Sequence, residues 1–120
     1  MVDTKELRIG NIIYLNGKKT IVSSDEIAFL EKCQLFGINC DATPVKVTEE
    51  TLKGYGFTFD FENMSNKVYA KDGIKIQTSP TEGVFLYAGG NRIGKSFHYL
   101  HQLQNLWFCL SGKELNNQPL

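Results

Sequence analysis

The longest apolar pattern in the chain has helical spacing and runs over residues 97–110. At about 100° per residue, its apolar side chains fall on one arc roughly 200° wide, which indicates a helix lying deep against a sheet. These side chains are Phe97, Tyr99, Leu100, Leu103, Leu106, Trp107, Phe108 and Leu110. Gly112 follows as a stop signal. Gln104 falls inside the arc, where we expect its amide to satisfy buried backbone groups rather than to bind a ligand.

Alternation of period two, which is typical of strands, fills much of the remaining sequence. Two β-rich runs flank Asn16-Gly17, and two more flank Asp72-Gly73. An Asn-Gly or Asp-Gly pair between such runs predicts a tight hairpin. Further strands are predicted at residues 45–47, 57–61 and 84–87.

Helix signals outside the C-terminal segment are short. Thr48 is predicted to cap a helix over residues 48–54, which Gly54 ends. Residues 27–36 fit a helix as well as one or two strands, and the sequence leaves both alternatives open. Residues 37–41 are expected to form a loop.

Together these elements predict an α+β fold: an antiparallel β-meander with a C-terminal helix packed on one face. The N-terminal part is predicted to form a small bent sheet of the SH3-like kind. A chain of 120 residues suits a single domain, 1–120, with a core of its own. A division near residue 43 would separate a β-rich part, 1–43, from a helix–meander–helix part, 44–115. Residues 113–120 are expected to form a loose tail.

Charge and hydropathy exclude several classes of partner. Thirteen basic residues balance thirteen acidic ones, which argues against bulk binding of nucleic acid. The polar N-terminus has no signal-peptide pattern, and no apolar run is long enough to span a bilayer. We therefore expect a cytoplasmic protein with no membrane partner.

The cysteines, Cys33, Cys40 and Cys109, are an odd set without C-x-x-C spacing. We expect reduced thiols in a cytosol. A zinc site needs two close pairs of ligands, which the sequence lacks, so no metal and no other cofactor is expected.

Residues 89–96 match the G-x-x-x-x-G-K-S pattern of a phosphate-binding loop. Only 24 residues follow Ser96, and no Asp follows Asp72 to hold magnesium, so nucleotide hydrolysis is not expected. The alternative is a hairpin turn, a short strand and a helix capped by Ser96. A weaker phosphate site survives, in which Arg92, Lys95, Ser96 and amides at a helix start hold the anion. Asn91 and Tyr87 complete this predicted ligand-binding set.

A second candidate constellation consists of His98, His101, Asn105 and Cys109 on one side of the predicted C-terminal helix. Catalytic Cys, His and Asn residues normally come from separate elements, so that their side chains converge. Side chains along one helix stack instead. We therefore expect a polar helix face, with one histidine hydrogen-bonded to sheet backbone, and no catalytic residues.

Three parts of the chain carry a resemblance to a known family. They are ELRIGN at 6–11, VTEETL at 47–52 with Gly56-Phe57, and YLHQLQNL at 99–106 with LSGKEL at 110–115. On these residues the chain resembles small uncharacterised proteins of Bacteroides-type gut bacteria, their phages and mobile elements. The resemblance spans nearly the full length. It implies a context, that of a small accessory or counter-defence protein, and no site residues.

These observations give three functional hypotheses. The first is a non-catalytic, oligomeric binding protein that sequesters a nucleotide or other phosphorylated ligand through residues 87–96, with aromatic side chains that stack on bases. The second is a protein–protein adaptor that uses an exposed strand edge or apolar patch. The third, an enzyme, has the weakest support in the sequence.

Overall fold

A computed structural model of the chain describes residues 2–38 and 40–115. The helices within these residues are α1 (Ser24–Leu35), α2 (Glu49–Gly54) and α3 (Leu100–Ser111), and a 3-10 turn spans Thr4–Glu6. The strands are β1 (Ile12–Leu15), β2 (Lys18–Ile21), β3 (Ala42–Pro44), β4 (Thr58–Asn63), β5 (Asn66–Lys71), β6 (Ile74–Ser79), β7 (Gly83–Ala88) and β8 (Asn91–Phe97). The α+β prediction is confirmed: two antiparallel sheets in meander-like order accompany a C-terminal helix.

The described residues divide into two compact units. The β1 unit comprises residues 2–46 and Tyr99–Leu115 and contains the three-stranded sheet, in the order β2-β1-β3, with α1 and α3. The meander unit, Val47–His98, contains the five-stranded sheet, in the order β4-β5-β6-β7-β8, with α2. The C-terminal helix therefore shares a unit with the N-terminal sheet, and it contacts β1 there.

The β1 unit has its own apolar core. Its strands β1 and β2 form the predicted hairpin, in which Asn16 and Gly17 have positive φ values of 53° and 78°. Both residue types tolerate that conformation at little cost. The core is formed by buried apolar side chains from α1, from β1 and β3, and from the segments next to the strands. They are Val2, Ile13, Val22, Leu30 and Ala42.

The segment that the sequence left open is a helix, α1, and its C-terminal end corrects the prediction for the cysteines. Cys33 and Cys40 are joined by a disulfide, with Cα atoms 6.6 Å apart. After α1 ends, the backbone N–H of Ile38 donates to the carbonyl of Cys33 at 2.8 Å, which turns the chain back toward β3. The sequence spacing of the cysteines did not predict this turn. Cys109 is a free, exposed thiol.

The meander unit follows its hairpin signals closely. Asp72 and Gly73 take φ values of 50° and 80° at the β5–β6 turn, as the Asp-Gly pair predicts. The strand predicted at 45–47 is displaced, because β3 lies at Ala42–Pro44 and Lys46 forms only an isolated bridge with Tyr99. A bulge near Asp60 interrupts the pairing of β4 with β5.

The start of the C-terminal helix differs from the prediction. Phe97 pairs with Val84 and is buried, so β8 continues through this position and α3 begins only at Leu100. The residue at the helix start is Tyr99, whose N–H donates to Oε1 of Gln102 at 3.2 Å, and not Ser96. Gly112 ends the helix in the left-handed conformation, as predicted. Of the predicted tail, Leu115 is buried, whereas residues 116–120 lie outside the described part.

Helix α2 is held by its cap and by one buried tyrosine. Thr48 accepts a hydrogen bond from the N–H of Thr51, so its predicted role as N-cap is confirmed. Tyr69 on β5 donates its hydroxyl proton to the carboxylate of Glu49 in the first turn. Burial, this hydrogen bond and the charges of Glu49 and Glu62 raise the pKa of Tyr69 to about 12. The same hydrogen bond and the neighbouring Lys53 lower the pKa of Glu49.

This coupling predicts a specific loss of stability in alkali. The neutral Tyr69 hydroxyl is favoured in the folded state, so its contribution is complete below pH 10 and is lost as the pH rises through about 12. Ultraviolet titration of tyrosinate should show a late-ionising tyrosine, which Tyr69→Phe removes. Glu49→Gln should lower that pKa without restoring 10, because burial is the larger cause. A wild-type titration that is complete near pH 10 would contradict the coupling.

Candidate functional site

The predicted ligand-binding residues lie on the β7–β8 hairpin, and the structure brings two of them together. Tyr87 and Arg92 are directly opposite each other in the strand pairing. The guanidinium carbon of Arg92 lies 4.1 Å from the centre of the Phe85 ring, two residues along β7 from Tyr87. Tyr87 is half-buried and Arg92 is exposed. Arg92 is therefore a solvent-facing guanidinium supported from below by an aromatic ring.

The other three predicted residues are arranged differently. Asn91 precedes Arg92 on the strand, so its side chain points to the opposite face of the sheet. Lys95 and Ser96 lie in a bulge, where residues 94–96 face only Phe85 between the Val84–Phe97 and Leu86–Ile93 pairs. Gly94 in that bulge has a φ of 70°.

The bulge excludes the geometry of a phosphate-binding loop. In that motif the Lys and Ser begin a helix, whereas here both belong to strand β8 and the helix starts four residues after Ser96. Amides at the start of α3 are also engaged: Leu100 N–H donates to the carbonyl of Val45 at 2.7 Å and Gln102 N–H to that of Tyr99 at 3.1 Å. The predicted contribution of helix-start amides to the site is therefore wrong.

Strand pairing extends the Tyr87–Arg92 pair into a larger surface. Lys75 on β6 pairs with Tyr87, and Gln77 pairs with Phe85. At the β4 edge, the Lys75 ammonium lies 5.6 Å from the centre of the Phe61 ring. We call this surface the aromatic–cation face, formed by Phe61, Lys75, Gln77, Phe85, Tyr87 and Arg92. Two cation–aromatic pairs, one near each edge of the sheet, define it.

One acidic side chain interrupts the positive charge of this face. The Asp60 carboxylate at the β4 bulge lies 3.2 Å from the Lys75 ammonium, and both side chains are substantially exposed. Exposed ion pairs of this kind contribute little to stability, because water and salt screen them. Asp60 therefore restrains Lys75 without contributing much to the fold.

The β1 unit contains a polar network centred on Gln104, which satisfies buried backbone as predicted. Its Oε1 accepts from the N–H of Ile12 at 2.9 Å, and its Nε2 donates to the carbonyl of Gly10 at 3.3 Å. Asn11, with 0% of its surface exposed, donates from Nδ2 to Oδ1 of Asn105 at 3.0 Å. The prediction that Gln104 serves the backbone is confirmed.

Arg8 completes this network and was missed by the sequence analysis. Its Nε donates to Oδ1 of Asn105 at 3.1 Å, and its terminal nitrogens lie 2.7 and 3.2 Å from the two carboxylate oxygens of Glu114. Its guanidinium also lies 4.4 Å from the centre of the Phe108 ring. The positions of Arg8 and Glu114 at opposite ends of the chain carry no local pattern, so only the tertiary structure reveals the pair.

The candidate catalytic constellation is not assembled. His98 precedes α3 and lies in the meander unit. His101 is 1% exposed, with Nε2 2.9 Å from Oε1 of Glu6, so the partner of this nitrogen is a carboxylate and not sheet backbone. Asn105 is committed to Arg8, Asn11 and the Glu6 carbonyl. The expected polar helix face is wrong at His101, which is buried.

Comparisons with protein-family models, curated proteins and solved structures found no match.

The residues that the structure describes contain neither a metal-binding cluster nor a membrane-spanning helix. No group of three or more His, Cys, Asp and Glu side chains in these residues is arranged to hold a metal ion. No helix in residues 2–38 and 40–115 is long and apolar enough to cross a membrane.

The Gln104 network predicts a large cost for a substitution of similar shape. Gln104→Met should lower the free energy of unfolding by about 2 kcal/mol or more, because the Ile12 N–H and Gly10 carbonyl lose their partners. Gln104→Glu should cost at least as much as Gln104→Met, since its buried carboxylate is left facing the Gly10 carbonyl. Urea denaturation measures both. Cys109→Ala on the same helix is the control and should change stability by less than about 0.5 kcal/mol. Equal stabilities of Gln104→Met and the control would contradict the role of the network.

Proposed function

We propose that the chain is a non-catalytic binding protein that holds a nucleotide or another phosphorylated ligand on the aromatic–cation face. The observation that carries this proposal is the position of Arg92, whose guanidinium lies over Phe85 and opposite Tyr87. A guanidinium binds phosphate by donating two parallel N–H hydrogen bonds from one planar group. Stacking on Phe85 restricts that group before the ligand arrives, which lowers the entropic cost of binding.

Neighbouring side chains suit the rest of a nucleotide. Tyr87 offers a half-buried ring on which a base can stack, and Lys75 places a second positive charge across the strand from it. Gln77 supplies an amide donor and acceptor in the adjoining row. This set replaces the predicted one in part: Arg92 and Tyr87 remain, and Lys95 lies three residues along β8 from Arg92, in the bulge.

Two polar side chains of α3 serve the fold and not a ligand. His101 contacts Glu6, and Asn105 binds Arg8 and Asn11, so both serve to join segments of the β1 unit. The resemblance to proteins of phages and mobile elements supports sequestration of a nucleotide signal as the biological purpose, in a counter-defence role. Self-association and a cytoplasmic location are part of the same proposal.

Isothermal titration with nucleoside mono-, di- and triphosphates tests the proposal. Wild-type protein should release heat with at least one of them, and Arg92→Ala should weaken that affinity about tenfold, as expected for a lost charged hydrogen bond. Arg92→Lys should recover only part of it, because an ammonium lacks the planar group. Lys19→Ala, an exposed cation on β2, is the matched control. Absence of heat with every nucleotide, or equal affinities of wild type and Arg92→Ala, would overturn the proposal.

A second candidate function, a protein–protein adaptor, is favoured by strand β4. All six of its residues are exposed, it forms one edge of the sheet, and Met64 just beyond it is 93% exposed. An unprotected edge can accept a strand from a partner. In a pull-down from host lysate with nucleotides removed, wild type should retain a partner and Phe59→Lys with Met64→Asp should release it. Retention by both, or by neither, would contradict this function.

A further inference from the structure

The structure points to single-stranded polynucleotide as the ligand of the aromatic–cation face, with neighbouring nucleotides engaging the Phe61–Lys75 and Phe85–Arg92 pairs. This inference rests on the proposed function and deepens it by naming the ligand class. Two cation–aromatic pairs on one sheet surface are the observation from which it starts.

The two pairs extend across the whole sheet, from Phe61 on β4 to Arg92 on β8, which is farther than one nucleotide stacked on Tyr87 between Lys75 and Arg92 reaches. Lys75 pairs with Tyr87, and Tyr87 pairs with Arg92, so the two cations lie in one row on β6 and β8. Adjacent strands are about 4.8 Å apart, which separates the two Cα atoms by roughly 10 Å. Phe61 lies two strands beyond β6, at the far edge. A chain of nucleotides crossing the strands meets a cation and an aromatic ring at each end of this row.

Each pair presents a different stacking surface. The Phe61 ring is 45% exposed and offers its own face to a base. Phe85 is only 6% exposed, because the Arg92 guanidinium lies over it. A base in that position would stack on the guanidinium plane or on the neighbouring Tyr87 ring, and both modes occur in single-strand recognition. Stacking accepts any base, so the expected recognition is of single strands and not of a particular sequence.

The number of positive charges on the face is enough to contact a few phosphates of a strand, and not to cover a long stretch of it. Lys75, Arg92 and Lys95, which lies in the bulge of the same strand as Arg92, can neutralise two or three phosphates, in a chain whose total charge is balanced. Counterion release then gives a plot of log affinity against log salt with a slope of roughly −1.4 to −2.1. That shallow slope distinguishes this site from the bulk nucleic-acid binding that the composition excludes.

Asp60 gives the inference its sharpest test. Its carboxylate lies 3.2 Å from the Lys75 ammonium and repels any phosphate that approaches. Asp60→Asn keeps the size of the side chain and removes that repulsion. If a polynucleotide phosphate reaches Lys75, this variant must bind more tightly than wild type. A ligand that uses only Arg92 and Tyr87 would be unaffected.

The experiment is fluorescence anisotropy with labelled homopyrimidine strands of DNA and of RNA, each about eight nucleotides long, within the range that one small sheet domain covers. Unlabelled strands should compete at least about tenfold better than the matching mononucleotide, and better than a duplex of the same length. Lys75→Ala and Arg92→Ala should each weaken binding at least about fivefold, Asp60→Asn should tighten it about threefold, and Lys19→Ala should leave it unchanged. Circular dichroism and thermal unfolding confirm that each variant is folded.

Each outcome has a distinct consequence. Tighter binding of DNA, of RNA or of both over the mononucleotide supports the inference and identifies the source of the strand. Equal affinities for strand and mononucleotide overturn the inference and leave the proposed function standing. No binding of either overturns both. Should Asp60→Asn fail to tighten binding while Arg92→Ala weakens it, the ligand does not span the two pairs and the inference falls.

Discussion

The carboxamide of Gln104 is the interaction on which the β1 unit depends. One side chain on α3 supplies an acceptor to the Ile12 N–H and a donor to the Gly10 carbonyl, at the point where the chain enters β1. Buried backbone groups must find partners, and no water is needed here because the helix supplies them. The C-terminal helix therefore supplies hydrogen-bond partners to a sheet whose strands lie within residues 12–44.

Asn11, Asn105 and Arg8 extend that interaction into a network in which most donors have acceptors. Asn105 accepts from both Asn11 and Arg8 and donates to the carbonyl of Glu6. Such networks favour one arrangement of the chain, because a register shift would leave several buried polar groups unpaired at once. Of the α3 residues that invite a catalytic interpretation, Asn105 belongs to this network, His101 contacts Glu6 and Cys109 is an exposed thiol. Ligand binding is instead proposed on the five-stranded sheet, where cations and aromatic rings form the aromatic–cation face.

Local signals predicted much of the fold. Asn16-Gly17 and Asp72-Gly73 specify their turns through positive φ angles, and Thr48 specifies a helix start through its hydroxyl. Gln104 was predictable because an amide inside an apolar arc needs buried partners. The predicted helix began too early, at Phe97, because an apolar residue fits both the helical arc and the end of a buried strand. The disulfide of Cys33 with Cys40 depends on how the chain turns after α1, which spacing alone does not encode.

The candidate site was predictable only in part, for a related reason. Gly89-Gly90 fixes the hairpin that places Arg92 opposite Tyr87, and strand alternation then places Phe85 on the same face. Phe61 and Lys75 come together only through the order of the sheet and the bulge at β4. Gly94 lies in a second bulge, on β8. The residues there match the pattern of a phosphate-binding loop, but they belong to an irregular strand.

The most direct test of a structural role for the β1 unit and a ligand-binding role for the meander unit is a nitrogen–proton correlation spectrum recorded during titration with a short single strand. The account predicts shifts at Lys75, Gln77, Phe85, Tyr87 and Arg92, with the amides of Asn11, Ile12, Gln104 and Asn105 unchanged. Shifts that centre on Arg8 and His101 and spare β6 to β8 would contradict it.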